Sequence, residues 1–75
     1  MSQPVRRPTG GEQLTPRQAD VLQGIVDVLT DKEIAADLGI SHRTVSDHVR
    51  IILVKLGCRT RAQAAAEAVR RGLIP

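Results

Sequence analysis

Apolar residues recur every three or four positions in four segments of this 75-residue chain. That spacing places them on one side of an α-helix. A Ser or Thr, which commonly caps a helix N-terminus, precedes each segment, and three of the segments end at a glycine. No segment alternates as a strand would. The pattern therefore predicts an all-α fold of four helices, capped by Thr15, Thr30, Ser41 and Thr60 and ended, from the second onward, by Gly39, Gly57 and Gly72.

Side-chain types refine the boundaries and the buried side of each helix. Capping boxes, in which the cap and the third helical residue exchange hydrogen bonds, are predicted for Thr15 with Gln18, Thr30 with Glu33 and Thr60 with Gln63. The third helix should span about 42–56 and the fourth should end near 71. The predicted inner residues are Val21, Leu22, Ile25 and Leu29; then Ile34, Ala35 and Leu38; then Val45, Val49, Ile52 and Leu56, with His48 and Leu53 at the flanks.

Residues 31–50 have the spacing of a helix-turn-helix. Ala35 is small where the two helices should approach, Gly39 lies four residues later in the turn, and Val45 follows on the buried side of the second helix. We expect Gly39 to take a positive φ, and two steeply crossed helices to leave no room there for a Cβ. This arrangement would present the third helix to a DNA major groove.

Residues 1–13 are rich in Pro and Gly and nearly free of apolar residues, which predicts a flexible tail or linker ahead of a single domain at 14–75. Arg6 and Arg7 in this tail could reach DNA, or could simply be solvated. The tail suits a linker from a preceding domain, whereas Met1 suits either a free-standing small protein or a piece excised from a longer one. The sequence does not decide between them.

Composition and charge narrow the class of function. The chain has no Phe, Trp or Tyr, which argues against base-stacking platforms for single strands. It has one cysteine, no signal peptide and no membrane span, so we expect a cytoplasmic protein. Residues 14–40 hold two basic and five acidic residues (−3), whereas residues 41–61 hold five basic and one acidic (+4). This segregation favours a basic surface for a polyanion, although an ordinary solvated helix would look similar.

The outward side of the third helix carries the candidate base-reading residues, Arg43, Thr44, Ser46, Asp47 and Arg50. Arg50 could donate two hydrogen bonds to guanine, and Thr44 and Ser46 could contact phosphate or base. Asp47 could accept from cytosine N4, or could instead pair with Arg43 or Arg50 along the helix. Both interpretations of Asp47 stay open.

Further cations could bind the DNA backbone, namely Lys32, Lys55, Arg59 and Arg61. His48 is interpreted as a packed histidine, and His42 lies on a different side of the same helix, so no metal site is expected. Cys58 has no second cysteine or neighbouring histidine. The chain offers no catalytic constellation and no phosphate-cradling loop, so we expect neither an enzyme nor a cofactor.

The run LTPRQADVLQGIVDVLTDKEIAADLGISHRTVSDHVRIILVKLG, residues 14–57, strongly resembles the LuxR-type DNA-binding domain of bacterial transcription regulators, and the similarity extends to about residue 74. The resemblance implies a four-helix fold, DNA binding by the third helix and dimerisation through the fourth. It implies base contacts by Ser46, Asp47 and Arg50, and backbone contacts by Lys32, Thr44 and Arg59.

Five positions depart from the pattern of that family. Val28 replaces a common glycine and Ser46 a common basic residue, Asp47 makes the outward side less positive still, and Ile51 and Val54 add apolar surface. Ser46, Asp47, Ile51 and Val54 motivate one alternative, a protein-interaction module that has lost DNA binding. A second alternative is the promoter-binding region of a sigma factor. The expected partners are duplex DNA, a second copy of the chain and, as a further candidate, RNA polymerase; no membrane is expected.

The fourth helix supplies the predicted dimer surface, formed by Ala62, Ala65, Ala66 and Val69, while Ala64 and Ala68 should pack inward. Small side chains allow close approach but bury little area, so the contact should be weak in free solution. We therefore expect a monomer that pairs on DNA, on an inverted repeat with half-sites about one helical turn apart. Ile51 and Val54 are the alternative dimer surface.

Overall fold

The computed structural model describes residues 14–74, which form four α-helices joined by short turns. They are α1 (Pro16–Val26), α2 (Asp31–Leu38), α3 (His42–Leu56) and α4 (Arg61–Arg70). Within these residues there is no strand, and no helix is long and apolar enough to span a bilayer. The prediction of an all-α, four-helix fold is confirmed. The predicted tail at 1–13 and the final Pro75 lie outside the described residues.

The predicted N-terminal caps form in all four helices, and the first three also show every hydrogen bond that we expected of them. Thr15 and Gln18 exchange hydrogen bonds at the start of α1, Thr30 and Glu33 do so at the start of α2, and Ser41 accepts from the Thr44 N–H at 2.9 Å. These bonds satisfy N–H groups that have no partner within the helix. They explain why each helix begins where its Ser or Thr stands.

The predicted capping box of α4 is wrong in one half. The Thr60 hydroxyl accepts from the Gln63 N–H at 3.1 Å, but the Gln63 side chain accepts from the Arg59 N–H at 2.7 Å, not from Thr60. Thr60 has a φ of −132°, whereas Thr15 and Thr30 have φ values of −71° and −76°. This more extended backbone turns the Thr60 N–H away from Gln63 and brings the Arg59 N–H into its place.

The first helix is shorter than its apolar pattern indicated. Leu29, predicted on the inner side of the first helix, lies beyond the end of α1 at Val26. Val28 adopts a φ of +63°, which breaks the helix, and the Leu29 N–H returns to the Gly24 carbonyl at 2.9 Å. Leu29 still packs against the core, but from the turn.

The core lies where α1 packs against the other three helices. Its most deeply buried members are Val21 and Leu22 of α1, Ile34 of α2, Val45 and Ile52 of α3, and Ala64 and Ala68 of α4. The predicted buried stripe of α3 is confirmed at all four positions, and His48 and Leu53 are half-buried at its flanks. With no aromatic residue, the core is filled by Val, Leu, Ile and Ala side chains.

We made two predictions for Gly39, in the turn between α2 and α3, and only one of them is confirmed. Its φ of +69° confirms the left-handed conformation. However, a Cβ at Gly39 would meet no atom within 4 Å, so the predicted lack of room is wrong. The steric limit lies at Gly24 of α1, where a Cβ would come within 2.6 Å of Ile34 Cγ1. Gly24 therefore permits the close packing of α1 on α2.

Candidate nucleic-acid interface

The outward side of α3 is organised around Asp47. Arg43 Nε lies 3.8 Å from one Asp47 oxygen, and Arg50 Nη2 lies 3.2 Å from the other. The side chains of Arg43 and Arg50 are 86% and 71% exposed, so the pairs contribute little to the free energy of unfolding. Their consequence is positional, because one carboxylate holds two guanidinium groups along the exposed side of the helix. Of the two interpretations of Asp47, the intrahelical pairing is present in the structure.

Thr44 is less available for a DNA contact than its position in the sequence suggests. It is half-buried, and its hydroxyl accepts a hydrogen bond from the Ser41 hydroxyl at 2.8 Å. The Thr44 N–H in turn donates to Ser41. The start of α3 is therefore closed by Ser41 and Thr44 together, near the exposed Arg43.

Asp31, at the start of α2, connects three helices. One of its oxygens accepts from Arg61 Nη1 of α4, and the other accepts from the Ser46 hydroxyl of α3 at 3.3 Å. Arg61 also donates through Nη2 to the Leu29 carbonyl at 3.1 Å. Asp31 was not among the residues that we predicted from the sequence. The available signal was Arg61 itself, which has no acidic residue within four positions in the sequence.

The four cations predicted to contact the DNA backbone fall into two groups. Lys32 and Arg59 are exposed, and their side chains make no hydrogen bond or ion pair within residues 14–74. Lys55 donates to the side chain of buried Gln18 at 2.7 Å, and Arg61 is bound to Asp31 and Leu29. Lys32 and Arg59 can therefore bind a ligand without first breaking an internal contact. Lys55 and Arg61 instead already connect helices of the fold.

The predicted dimer surface of α4 is only partly presented to solvent. Ala62, Ala66 and Val69 are exposed, and Val69 remains 64% accessible. Ala65 instead packs partly against the core, beside the fully buried Ala64 and Ala68. On α3, Ile51 and Val54 are exposed as expected, at 41% and 76%.

The histidines and the cysteine lie apart from one another. Within the described part of the chain, no three His, Cys, Asp or Glu side chains are placed to hold a metal ion. His48 is half-buried, and its Nδ1 atom is enclosed without a hydrogen-bond partner among the described residues. Cys58 is half-buried, with its sulfur 3.7 Å from the Leu56 carbonyl oxygen.

Comparison with known proteins identifies this arrangement. Residues 12–68 match the family model described as bacterial regulatory proteins, luxR family. The spore germination protein GerE of Bacillus subtilis is 42% identical over 59 residues, covering 79% of this chain and 80% of GerE. The structure of transcription factor GerE superposes on 81% of this chain and 91% of its own, with a TM-score of 0.74 and 36% identity.

Other relatives are much longer than this chain. The response regulator ChrA of a heme-sensing two-component system has a TM-score of 0.80 and 34% identity, over 91% of this chain and 33% of its own. The HTH-type transcriptional regulator Mb0914c of Mycobacterium bovis is 41% identical over 68 residues, which are 89% of this chain and 8% of that protein. The chain thus spans about a third or less of these longer relatives.

These matches agree with the helix-turn-helix of α2 and α3, and they favour a DNA-binding regulator over the interaction module and the sigma-factor region. The family is one of DNA-binding transcription regulators. Family, fold and the charged outward side of α3 therefore lead to one conclusion: this chain belongs to the luxR family of bacterial regulatory proteins, as a helix-turn-helix DNA-binding domain.

Proposed function

We propose that this domain reads a specific duplex sequence by placing the N-terminal half of α3 in the major groove. The observation that carries the proposal is the Arg43–Asp47–Arg50 set, exposed on the side of α3 opposite its buried stripe. Arg50 is the base reader, because a guanidinium can donate two hydrogen bonds to the O6 and N7 atoms of guanine. Ser46 lies one position before Asp47 on the same exposed side, and Asp47 fixes the direction of both arginines.

Lys32 and Arg59 bind phosphates of the DNA backbone in this proposal. Both are exposed cations without an internal partner in residues 14–74, and Lys32 lies in the first turn of α2, where the helix dipole also favours an anion. Thr44, Lys55 and Arg61 are supporting backbone contacts. Lys55 and Arg61 already make internal bonds, so their loss would also change the fold.

The test begins with selection of bound sites from random duplex DNA. Arg50→Ala should then weaken binding to the selected site by about 1–3 kcal/mol and relax the preference at one base pair. Arg17→Ala, which removes an exposed arginine from α1 and outside the proposed interface, is the matched control for charge. Equal losses on selected and random DNA would reassign Arg50 to a phosphate contact.

A salt titration tests the backbone contacts. Lys32→Ala and Arg59→Ala should weaken binding to all sequences alike, and each should reduce the slope of log affinity against log salt by about one unit. An unchanged slope in either variant would remove that residue from the interface.

We infer that two copies pair on DNA through the exposed small residues of α4, namely Ala62, Ala66 and Val69, with Ala65 at the edge. Ala66→Glu should keep the affinity for one half-site and abolish cooperative binding to an inverted repeat. Gln63→Glu adds the same charge on a neighbouring side and keeps an acceptor for the Arg59 N–H. Ala65 is less suitable, because it is partly packed in the core. Undiminished cooperativity in Ala66→Glu would move the dimer surface to Ile51 and Val54.

The wider role follows from the same site. We infer regulation of transcription in the bacterial cytoplasm, where a domain of this family meets chromosomal DNA, and RNA polymerase is the candidate protein partner. The similarity to the response regulator ChrA supports a place within a signal-responsive regulator. Crosslinking of the DNA-bound domain to purified RNA polymerase tests the partner.

A further inference from the structure

Asp31 accepts a hydrogen bond from a hydroxyl on the outward side of α3. Its two oxygens are taken by different partners: Arg61 Nη1 on one, and the Ser46 hydroxyl on the other at 3.3 Å. The Asp31 side chain is 21% exposed, which leaves it partly shielded between α2, α3 and α4. His42 Nε2 lies 4.0 Å from the oxygen that Ser46 uses, too far to take that bond. We call Asp31, Ser46 and Arg61 the Asp31 junction.

The junction fixes what Ser46 can offer to a ligand. A serine hydroxyl has one hydrogen to donate and two lone pairs that accept. A carboxylate accepts only, so the Ser46 hydrogen must point at Asp31 when the two are bonded. Only the lone pairs of the Ser46 oxygen are then available to a ligand from the solvent side, where Ser46 is exposed beside Asp47.

We propose that Asp31 is a positioning residue that makes Ser46 a hydrogen-bond acceptor, so that Ser46 selects a base with an exocyclic amino group. In the major groove these groups are N6 of adenine and N4 of cytosine. Guanine O6 and thymine O4 are acceptors and would face the Ser46 lone pairs without a hydrogen between them. The inference rests on the proposed function, which brings Ser46 to the base edges, and it adds the class of base that Ser46 reads.

Arg61 makes this polarity stable. Its guanidinium donates to Asp31 through one nitrogen and to the Leu29 carbonyl through the other, so it holds the carboxylate in one orientation. An asparagine at position 31 would turn its oxygen to Arg61, since the guanidinium needs an acceptor. Its amide N–H would then donate to Ser46 and release the Ser46 hydrogen outward. The same hydroxyl would thereby become a donor.

The experiment measures base preference at every position of the selected site by competition among the four base pairs. Wild type should prefer adenine or cytosine at the position contacted by Ser46, by about threefold to tenfold, the worth of one hydrogen bond. Ser46→Ala should abolish that preference, and Asp31→Asn should shift it to guanine or thymine. Asp37→Asn, the same change on an exposed residue of α2, should leave it unchanged. Asp31→Asn combined with Ser46→Ala should match Ser46→Ala.

A second measurement does not depend on folding of the Asp31 variant. DNA whose base at that position lacks the amino group should bind wild type about threefold to tenfold more weakly and Ser46→Ala with no loss. Thermal unfolding followed by circular dichroism shows whether Asp31→Asn is folded at the assay temperature. If Asp31→Asn keeps the wild-type base preference at that position and binds every DNA sequence as Asp37→Asn does, the inference is wrong while the proposed function stands. If wild type selects no sequence at all, the proposed function fails first.

Discussion

The turns after α1 and α2 both close with a hydrogen bond from the residue after the left-handed position to a carbonyl five residues earlier, but the left-handed residue differs. After α2, Gly39 has a φ of +69° and the Ile40 N–H bonds to the Ala35 carbonyl at 3.1 Å. After α1, Val28 has a φ of +63° and the Leu29 N–H bonds to the Gly24 carbonyl at 2.9 Å. Glycine adopts this left-handed conformation freely, whereas for valine it costs about 1–2 kcal/mol.

Only part of a helix end is obligatory. In both turns the residue after the left-handed position is apolar and packs against the core, as Leu29 and Ile40 do. Val28 itself is 85% exposed and has no packing to offset its strain. The closing hydrogen bond and the buried apolar residue therefore determine the turn. The residue before that apolar residue takes the left-handed conformation even where, as at Val28, this costs free energy. The ends of α3 and α4 use Gly57 and Gly72 in the same way.

Gly24→Val should cause the largest effect, because the absence of a side chain at Gly24 permits the close approach of α1 to α2. Its Cβ would lie 2.6 Å from Ile34 Cγ1, inside the core. We expect a loss of about 2–3 kcal/mol in the free energy of unfolding, measured by urea denaturation. Ala36→Val, at an exposed site in α2, measures the cost of valine relative to alanine in a helix without any packing change. No loss in Gly24→Val would show that Ile34 yields without strain, because valine has a higher helix propensity than glycine.

Gly39→Val makes the second turn like the first. The expected loss is about 1–2 kcal/mol, because only the backbone conformation is penalised and no atom lies near the new Cβ. Gly39→Asn should cost less, since asparagine tolerates the left-handed region better than valine does. An equal cost for Asn and Val in urea denaturation would point to a side-chain clash and not to φ.

Val28→Gly makes the first turn like the second, with a smaller effect of opposite sign. Relief of the strained φ should stabilise the domain by about 0.5–1 kcal/mol. The gain is smaller than the strain itself, because glycine also increases the entropy of the unfolded chain. The melting temperature should rise, and Val28→Ala should fall between valine and glycine. A decrease on Val28→Gly would mean that the exposed Val28 side chain makes a stabilising contact.

The end of α4 differs from the first two turns because Glu67 forms ion pairs there with Arg70 and Arg71. Removing them should change the stability of the domain least. Hydrogen bonds from Arg70 and then Arg71 lower the pKa of Glu67 below its ordinary value of 4.5. A lowered folded-state pKa stabilises the protein above the unfolded pKa, and this stabilisation is lost as pH falls through the folded value. Glu67→Gln should lower the melting temperature slightly at neutral pH, and the difference should vanish in acid. A difference that persists in acid would assign the effect to packing.

Much of the candidate site was visible in the sequence because helical periodicity places its residues. The outward position of Arg43, Asp47 and Arg50 follows from the buried stripe of α3, and their pairing follows from spacings of three and four. The exposure of Lys32 and Arg59 agrees with their predicted availability. What periodicity did not show is that Lys55 and Arg61 bond to the fold and that Ala65 packs inward.

The sequence by itself determined the four helices, their N-terminal caps and the glycine stops of α2, α3 and α4, because these depend on contacts within about five residues. Thr30 with Glu33, or Gly39 with Ile40, lie close enough in the chain for their chemistry to be read directly. The tertiary structure alone decided the packing of Gly24 on Ile34, the bond from Lys55 to Gln18 and the Asp31 junction. These contacts join residues 10 to 37 positions apart, where no period links the partners, and only the packing of whole helices brings them together.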